Sequence, residues 1–93
     1  MTSQKFKSVW DAIENTAADA ENMKIRSSLM RALERQIRAQ DWTQSEAAQR
    51  FGVTQPRVSD LMRGRINLFS LDALVNMASA AGLHVDVKIA EMA

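Results

Sequence analysis

Two threonine-led helix starts, each closed by a glycine, stand back to back between Thr43 and Gly64 and constrain the fold more than any other feature of the chain. Thr43 and Glu46 have the spacing of a capping box, in which the hydroxyl accepts the amide of the third helical residue and the carboxylate accepts the amide of the cap. Trp42 can staple onto Ala47 across that cap. The helix starting at Gln44 ends near Phe51, because Gly52 supplies a left-handed conformation that other residues adopt only with strain. Thr54 then repeats the start signal, Val53 and Val58 are spaced as a second staple, and Pro56 falls in the first turn, where its missing N–H is not needed. This helix runs to about Arg63, and Gly64 stops it. The chain therefore reverses between two helices too short to be stable unless packed.

The flanking segments supply the packing. Ile25, Leu29, Leu33 and Ile37 recur four apart between Thr16 and Gln40, the mark of an amphipathic helix. A further helix is capped by Ser70, with Phe69 and Leu74 as staple partners; it carries Leu71, Leu74, Val75 and Ala78 inward and ends at Gly82. Beyond Gly82 the period falls to two. Leu83, Val85, Val87 and Ile89 alternate with His84, Asp86 and Lys88, which predicts a strand with one buried face. A lone strand leaves its backbone groups unpaired, so its partner is expected in a second molecule. Near the start, Phe6, Val9, Trp10 and Ile13 form one short helical face in an acidic segment, set off by Asn15-Thr16. The expected fold is mainly α: five helices and one C-terminal strand pairing across a dimer. A single domain spans 1–93, with 1–16 an N-terminal arm or short helix and 83–89 a dimerisation strand.

Composition removes most alternatives. Of the 43 apolar residues 14 are alanine, so few large side chains remain for a core, and a small chain of this kind gains from dimerising. With no cysteine, one histidine and three glycines, disulfide scaffolds, thiol chemistry, Cys/His zinc sites and long glycine-rich phosphate loops are excluded. His84 has no second ligand at usable spacing, and Ser59-Asp60 has no accompanying base, so neither an enzyme nor a bound metal or cofactor is expected. No apolar run approaches the roughly 20 residues that span a bilayer, and the first residues lack a hydrophobic signal core, so a cytoplasmic location is expected. The net charge of +1 hides an asymmetry: residues 1–21 sum to −2, 22–65 to +5 and 66–93 to −2. The middle is the candidate surface for a polyanion. The alternative is that its arginines only solvate helix faces.

Within that middle, Ala48 is small where two helices cross, Gly52 follows at the turn, and Val58 and Leu61 fix the second helix from beneath. This is helix-turn-helix spacing. The opposite face of the second helix (Thr54, Gln55, Arg57, Ser59, Asp60, Arg63) holds no large apolar residue. At these residues the chain resembles the Cro/phage-repressor, or XRE, class of regulators over about Lys24 to Gly82. The run from Thr43 to Arg65, with Ser8 to Ala12 and Glu21 to Arg26, is similar to HigA-like antitoxins of bacterial toxin-antitoxin operons. Two positions depart from the class: Asp60 puts an acid on the groove face, and Pro56 stands where many repressors keep a polar side chain.

The resemblance implies that Gln44 braces a phosphate while Gln55, eleven residues on, reads a base. A glutamine amide can indeed bond bidentately to adenine N6/N7 in the major groove. Arg57 suits guanine O6/N7 or a phosphate; Asp60 suits cytosine N4 or an ion pair with Arg57 or Arg63. Thr43, Thr54, Ser59, Arg63, Arg65 and Asn67 suit phosphate contact, although the two threonines are already accounted for as caps. The DNA-binding set is thus Gln44, Thr54, Gln55, Pro56, Arg57, Ser59, Asp60, Arg63, Arg65 and Asn67. Phe6, Val9, Trp10 and Ile13 are the expected face for a RelE/HigB-like toxin, with their own long helix as the alternative surface. The resulting expectation is a homodimeric repressor of a palindromic operator that also neutralises a small RNase-like toxin. The alternatives are a stand-alone regulator and a protein-interaction module that no longer binds DNA.

Overall fold

The computed structural model describes the backbone of residues 9–91 and the side chains of residues 17–91. Four α-helices and one 3-10 turn follow one another: α1 (Val9–Gln40), α2 (Gln44–Phe51), α3 (Gln55–Met62), the 3-10 turn Ile66–Leu68, and α4 (Leu71–Ala80). The expectation of five helices is corrected. Asn15 and Thr16 do not break the chain, and one 32-residue α1 takes the place of a short helix followed by a long one. A polar pair without proline or glycine has low helix propensity but nothing that prevents continuation.

Each helix end has a local cause. At the close of α1, Asp41 takes the left-handed conformation (φ 57°), and the Trp42 amide returns to the Ile37 carbonyl at 3.0 Å. This is the chain reversal that glycine usually makes, borne here by an aspartate, one of the few side chains that tolerate it. At α2 both halves of the capping box are present, with Glu46 N–H donating to Thr43 Oγ1 at 3.0 Å and Thr43 N–H donating to Glu46 Oε1 at 2.9 Å. Ser70 Oγ accepts the Ala73 amide at 3.1 Å at the start of α4.

The core forms where α1, α2, α3 and α4 meet. Phe51, Phe69, Leu33, Leu61, Leu74 and Val58 are its largest fully buried side chains, joined by Met30, Ile37 and Met77. Burying side chains of this size contributes about 1.5–3 kcal/mol each relative to exposure. The stripe on α1 is rotated from the expected one: Ile25 is 46% exposed, Leu29 is half-buried, and Met30 takes the core position. A strict four-residue repeat drifts around a helix of 3.6 residues per turn, so its first member leaves the contact face. On α4, Val75 is likewise exposed, while Met77, three residues beyond Leu74, is buried. The α1 residues 17–25 are exposed, although Asn22, Lys24 and Ile25 line clefts shared with later segments of the chain.

The expected strand is absent among the described residues: 83–91 forms no ladder. Its alternating face is also divided. Leu83 and Val85 pack against the core, whereas Val87 and Ile89 are 76% and 92% exposed. A strand needs a neighbour for its N–H and C=O groups, and among the described residues no segment supplies one.

Met30→Ala should therefore cost about 2–5 kcal/mol in urea unfolding and Ile25→Ala less than about 1 kcal/mol. The reverse order would restore the four-residue stripe as the core face.

Candidate nucleic-acid interface

α2 and α3 form a compact hairpin seated on α4. Ala48, 6% exposed, is small at the crossing, and Val58 and Leu61, 0% and 2% exposed, anchor α3 from below. Phe51 closes the far side of α2, with Trp42 edge-on at 5.9 Å between ring centroids and Arg50 over the Trp42 ring. At the turn Gly52 has φ 70°, and its amide bonds to the Gln49 carbonyl at 3.3 Å. These features fix the orientation of α3 without any buried polar side chain among the described residues.

The outer surface of α3 is hydrophilic. Thr54, Gln55, Pro56 and Arg63 are exposed, and Ser59 and Asp60 are half-buried. Gln44 and Gln55 occupy equivalent places, each being the first residue of its helix directly after a threonine cap. Thr54 Oγ1 accepts the Arg57 amide at 3.4 Å, so its hydroxyl is engaged in capping, as that of Thr43 is. Asp60 finds its cationic neighbour in Arg65, at 4.0 Å, and not in Arg57 or Arg63. Arg65 and Asn67 are exposed on the loop that follows α3. The ion pair with Asp60 keeps Arg65 beside α3.

Arg57 departs most from the expected arrangement. Instead of extending outward, it donates from Nη1 to the Leu68 carbonyl at 2.9 Å, and its guanidinium lies 5.0 Å from the Phe69 ring centroid. Arg26 was missed by sequence reasoning. It reaches the same loop from α1, donating from Nη1 to Ile66 O at 3.1 Å and to Phe69 O at 3.4 Å. No local pattern could have revealed it, since its partners lie 40 and 43 residues away. A cleft of about 540 Å³ opens here, lined among others by Asn22, Arg26, Arg57, Asn67 and Phe69.

Of the other expected sites, Phe6 lies outside the described residues, as do the side chains of Val9, Trp10 and Ile13. Val85 and Val87 line a second, smaller cleft with Ile25 and Leu29 of α1. Among the described residues no helix is long and apolar enough to cross a membrane.

A short helix held from below by Val58 and Leu61, with polar residues above, is the arrangement by which DNA-binding hairpins offer a helix to the major groove. The family model of the helix-turn-helix domain matches residues 12–90. The chain belongs to that family and is a DNA-binding regulator by class. No curated protein matches it.

Gly52→Ala separates conformational strain from crowding at the turn. A Cβ at this position would meet the Ala80 Cβ at 3.8 Å, an ordinary contact, so only the left-handed backbone opposes the substitution. Thermal or urea unfolding should show a loss of about 1–2 kcal/mol, with Gly52→Asn losing less. Equal losses for the two would point to crowding.

Proposed function

We propose that the chain is a homodimeric transcriptional repressor acting in the cytoplasm as the antitoxin of a HigBA-like operon: it binds a palindromic operator in that operon and neutralises a small RNase-like toxin. The observation that carries the DNA-binding part is the exposed, hydrophilic outer face of α3 above a fully buried underside. Laid in the major groove, α3 brings Gln55 to the base edges, where its amide suits adenine. Gln44 at the start of α2, Arg63 at the end of α3, and Arg65 and Asn67 on the following loop then take the flanking phosphates, which fix register without reading sequence.

Dimerisation is supported by the C-terminal segment. Val87 and Ile89 stand exposed, and antiparallel pairing of 83–89 with its symmetry mate would cover both. A two-fold dimer reads a palindrome naturally. Toxin binding rests on the resemblance to HigA-like antitoxins and on charge. Residues 1–21 sum to −2, opposite to the DNA-binding middle, and suit the basic surface of an RNase.

Selection of duplexes from a random-sequence pool tests the DNA reading: the purified protein should enrich a palindrome whose half-sites lie about one helical turn apart. Co-expression with the neighbouring reading frame tests the toxin reading; restored growth supports it, and a frame that is harmless alone leaves a stand-alone regulator. On the enriched duplex, Gln55→Ala should lose about 1–3 kcal/mol of discrimination against unselected DNA. Arg65→Ala should weaken both alike and lower the salt slope by about one unit. Equal losses on both duplexes for Gln55→Ala would remove it as a base reader.

Truncation after Gly82 should convert the dimer into a monomer of low stability in sedimentation and unfolding experiments. A truncated chain that still dimerised tightly would move the interface to the helices.

A further inference from the structure

Between α3 and α4 the chain passes through Ile66–Phe69, where the Phe69 amide closes onto the Ile66 carbonyl at 3.2 Å but the carbonyls that follow find no such donor. Among the described residues no backbone N–H reaches the Leu68 or Phe69 oxygen. Two guanidiniums reach them from different helices: Arg57 of α3 donates to Leu68 O, and Arg26 of α1 donates to Phe69 O at 3.4 Å and, at 3.1 Å, to Ile66 O, which also accepts the Phe69 amide. Arg26 is itself oriented by Asn22, whose Oδ1 accepts its Nε–H at 2.6 Å. Arg57 is oriented by the Phe69 ring beneath its plane, a contact that suits the flat guanidinium better than an ammonium.

An arginine that reads guanine must present two nitrogens to the groove. To do so, Arg57 would exchange its bond to the exposed Leu68 carbonyl for one from water and give up its place over the Phe69 ring, releasing the loop from α3. Both arginines are half-buried, and each gives charge-assisted bonds, the stronger kind, to one and the same loop. Arg65 and Asn67 lie within or beside that loop, so its position fixes where they stand relative to α3.

We propose that Arg57 and Arg26 are a pair of positioning residues: they lock the loop 66–69 to α3 and α1 and so hold Arg65 and Asn67 in line with the recognition helix, instead of reading bases. This rests on the DNA-binding reading above.

The experiment compares Arg57→Met, Arg57→Lys, Arg26→Met and the double methionine variant on a duplex enriched from a random pool and on unselected duplex. Arg57→Met should weaken both by about tenfold and leave their ratio intact. Arg57→Lys should not rescue, because it keeps the charge and loses the planar fork. Arg26→Met should act in the same direction, with the double variant no weaker than the weaker single one, since both hold one loop. In the free protein, the amide resonances of Asn67, Leu68 and Phe69 should move in both single variants.

Loss of the ratio in Arg57→Met, with Arg26→Met unchanged, would make Arg57 a base reader and overturn the proposal. Full rescue by Arg57→Lys would make it a phosphate contact, with the same effect. Unmoved loop resonances would overturn the lock while leaving DNA binding intact. Failure of the wild-type protein to enrich or bind any duplex would overturn the DNA-binding reading and this proposal with it.

Discussion

The burial of Val58 and Leu61 in the core they share with Ala47, Ala48, Phe51 and Leu74 is the interaction on which the rest depends. α3 has eight residues, far below the length at which an isolated helix persists in water, and its first turn contains a proline. It exists because two apolar side chains on its underside leave water and because Thr54 caps its open amides. The same geometry leaves the other side of α3 free of packing duties. A helix that must present a polar face in one fixed direction is thus obtained from two buried residues, a small residue at the crossing and one glycine turn.

Much of this was legible in the sequence because its causes are local. Capping boxes, staples and left-handed glycines act across three to five residues, so Thr43, Glu46, Gly52, Thr54 and Ser70 announce helix ends wherever they stand. The helix-turn-helix spacing and the exposed positions of Gln44, Gln55 and Arg63 follow from them. What was not legible depends on distance along the chain. The rotation of the α1 stripe from Ile25 to Met30 is decided by where α4 and the 3-10 turn press on that helix. The engagement of Arg57 and Arg26 with residues 66–69 joins segments that carry no mutual signal. The alternation of residues 83–89 was plain, but a strand is a relation between two backbones, and one chain provides only half of it.

The basic excess lies in the middle of the chain, and most of it is on α1: residues 22–40 sum to +4 and residues 41–65 to +1, while both flanks are acidic. The large exposed hydrophobic residues are Met23 and Ile25 of α1, Leu68 of the 3-10 turn, Val75 of α4, and Val87 and Ile89 of the C-terminal segment.

The central claim is that the outer surface of α3, with the starts of α2 and of the following loop, is where DNA sits. Titration of the isotope-labelled protein with an enriched duplex, followed by amide and side-chain NMR, tests it most directly. The account predicts that the largest changes fall on Gln44, on residues 54–60 with the Gln55 side-chain amide foremost, and on residues 63–67, while α1 from residue 17 to 25 and the segment 83–91 stay near their free positions. Changes concentrated on α1 and the C-terminal segment, with Gln55 undisturbed, would contradict it.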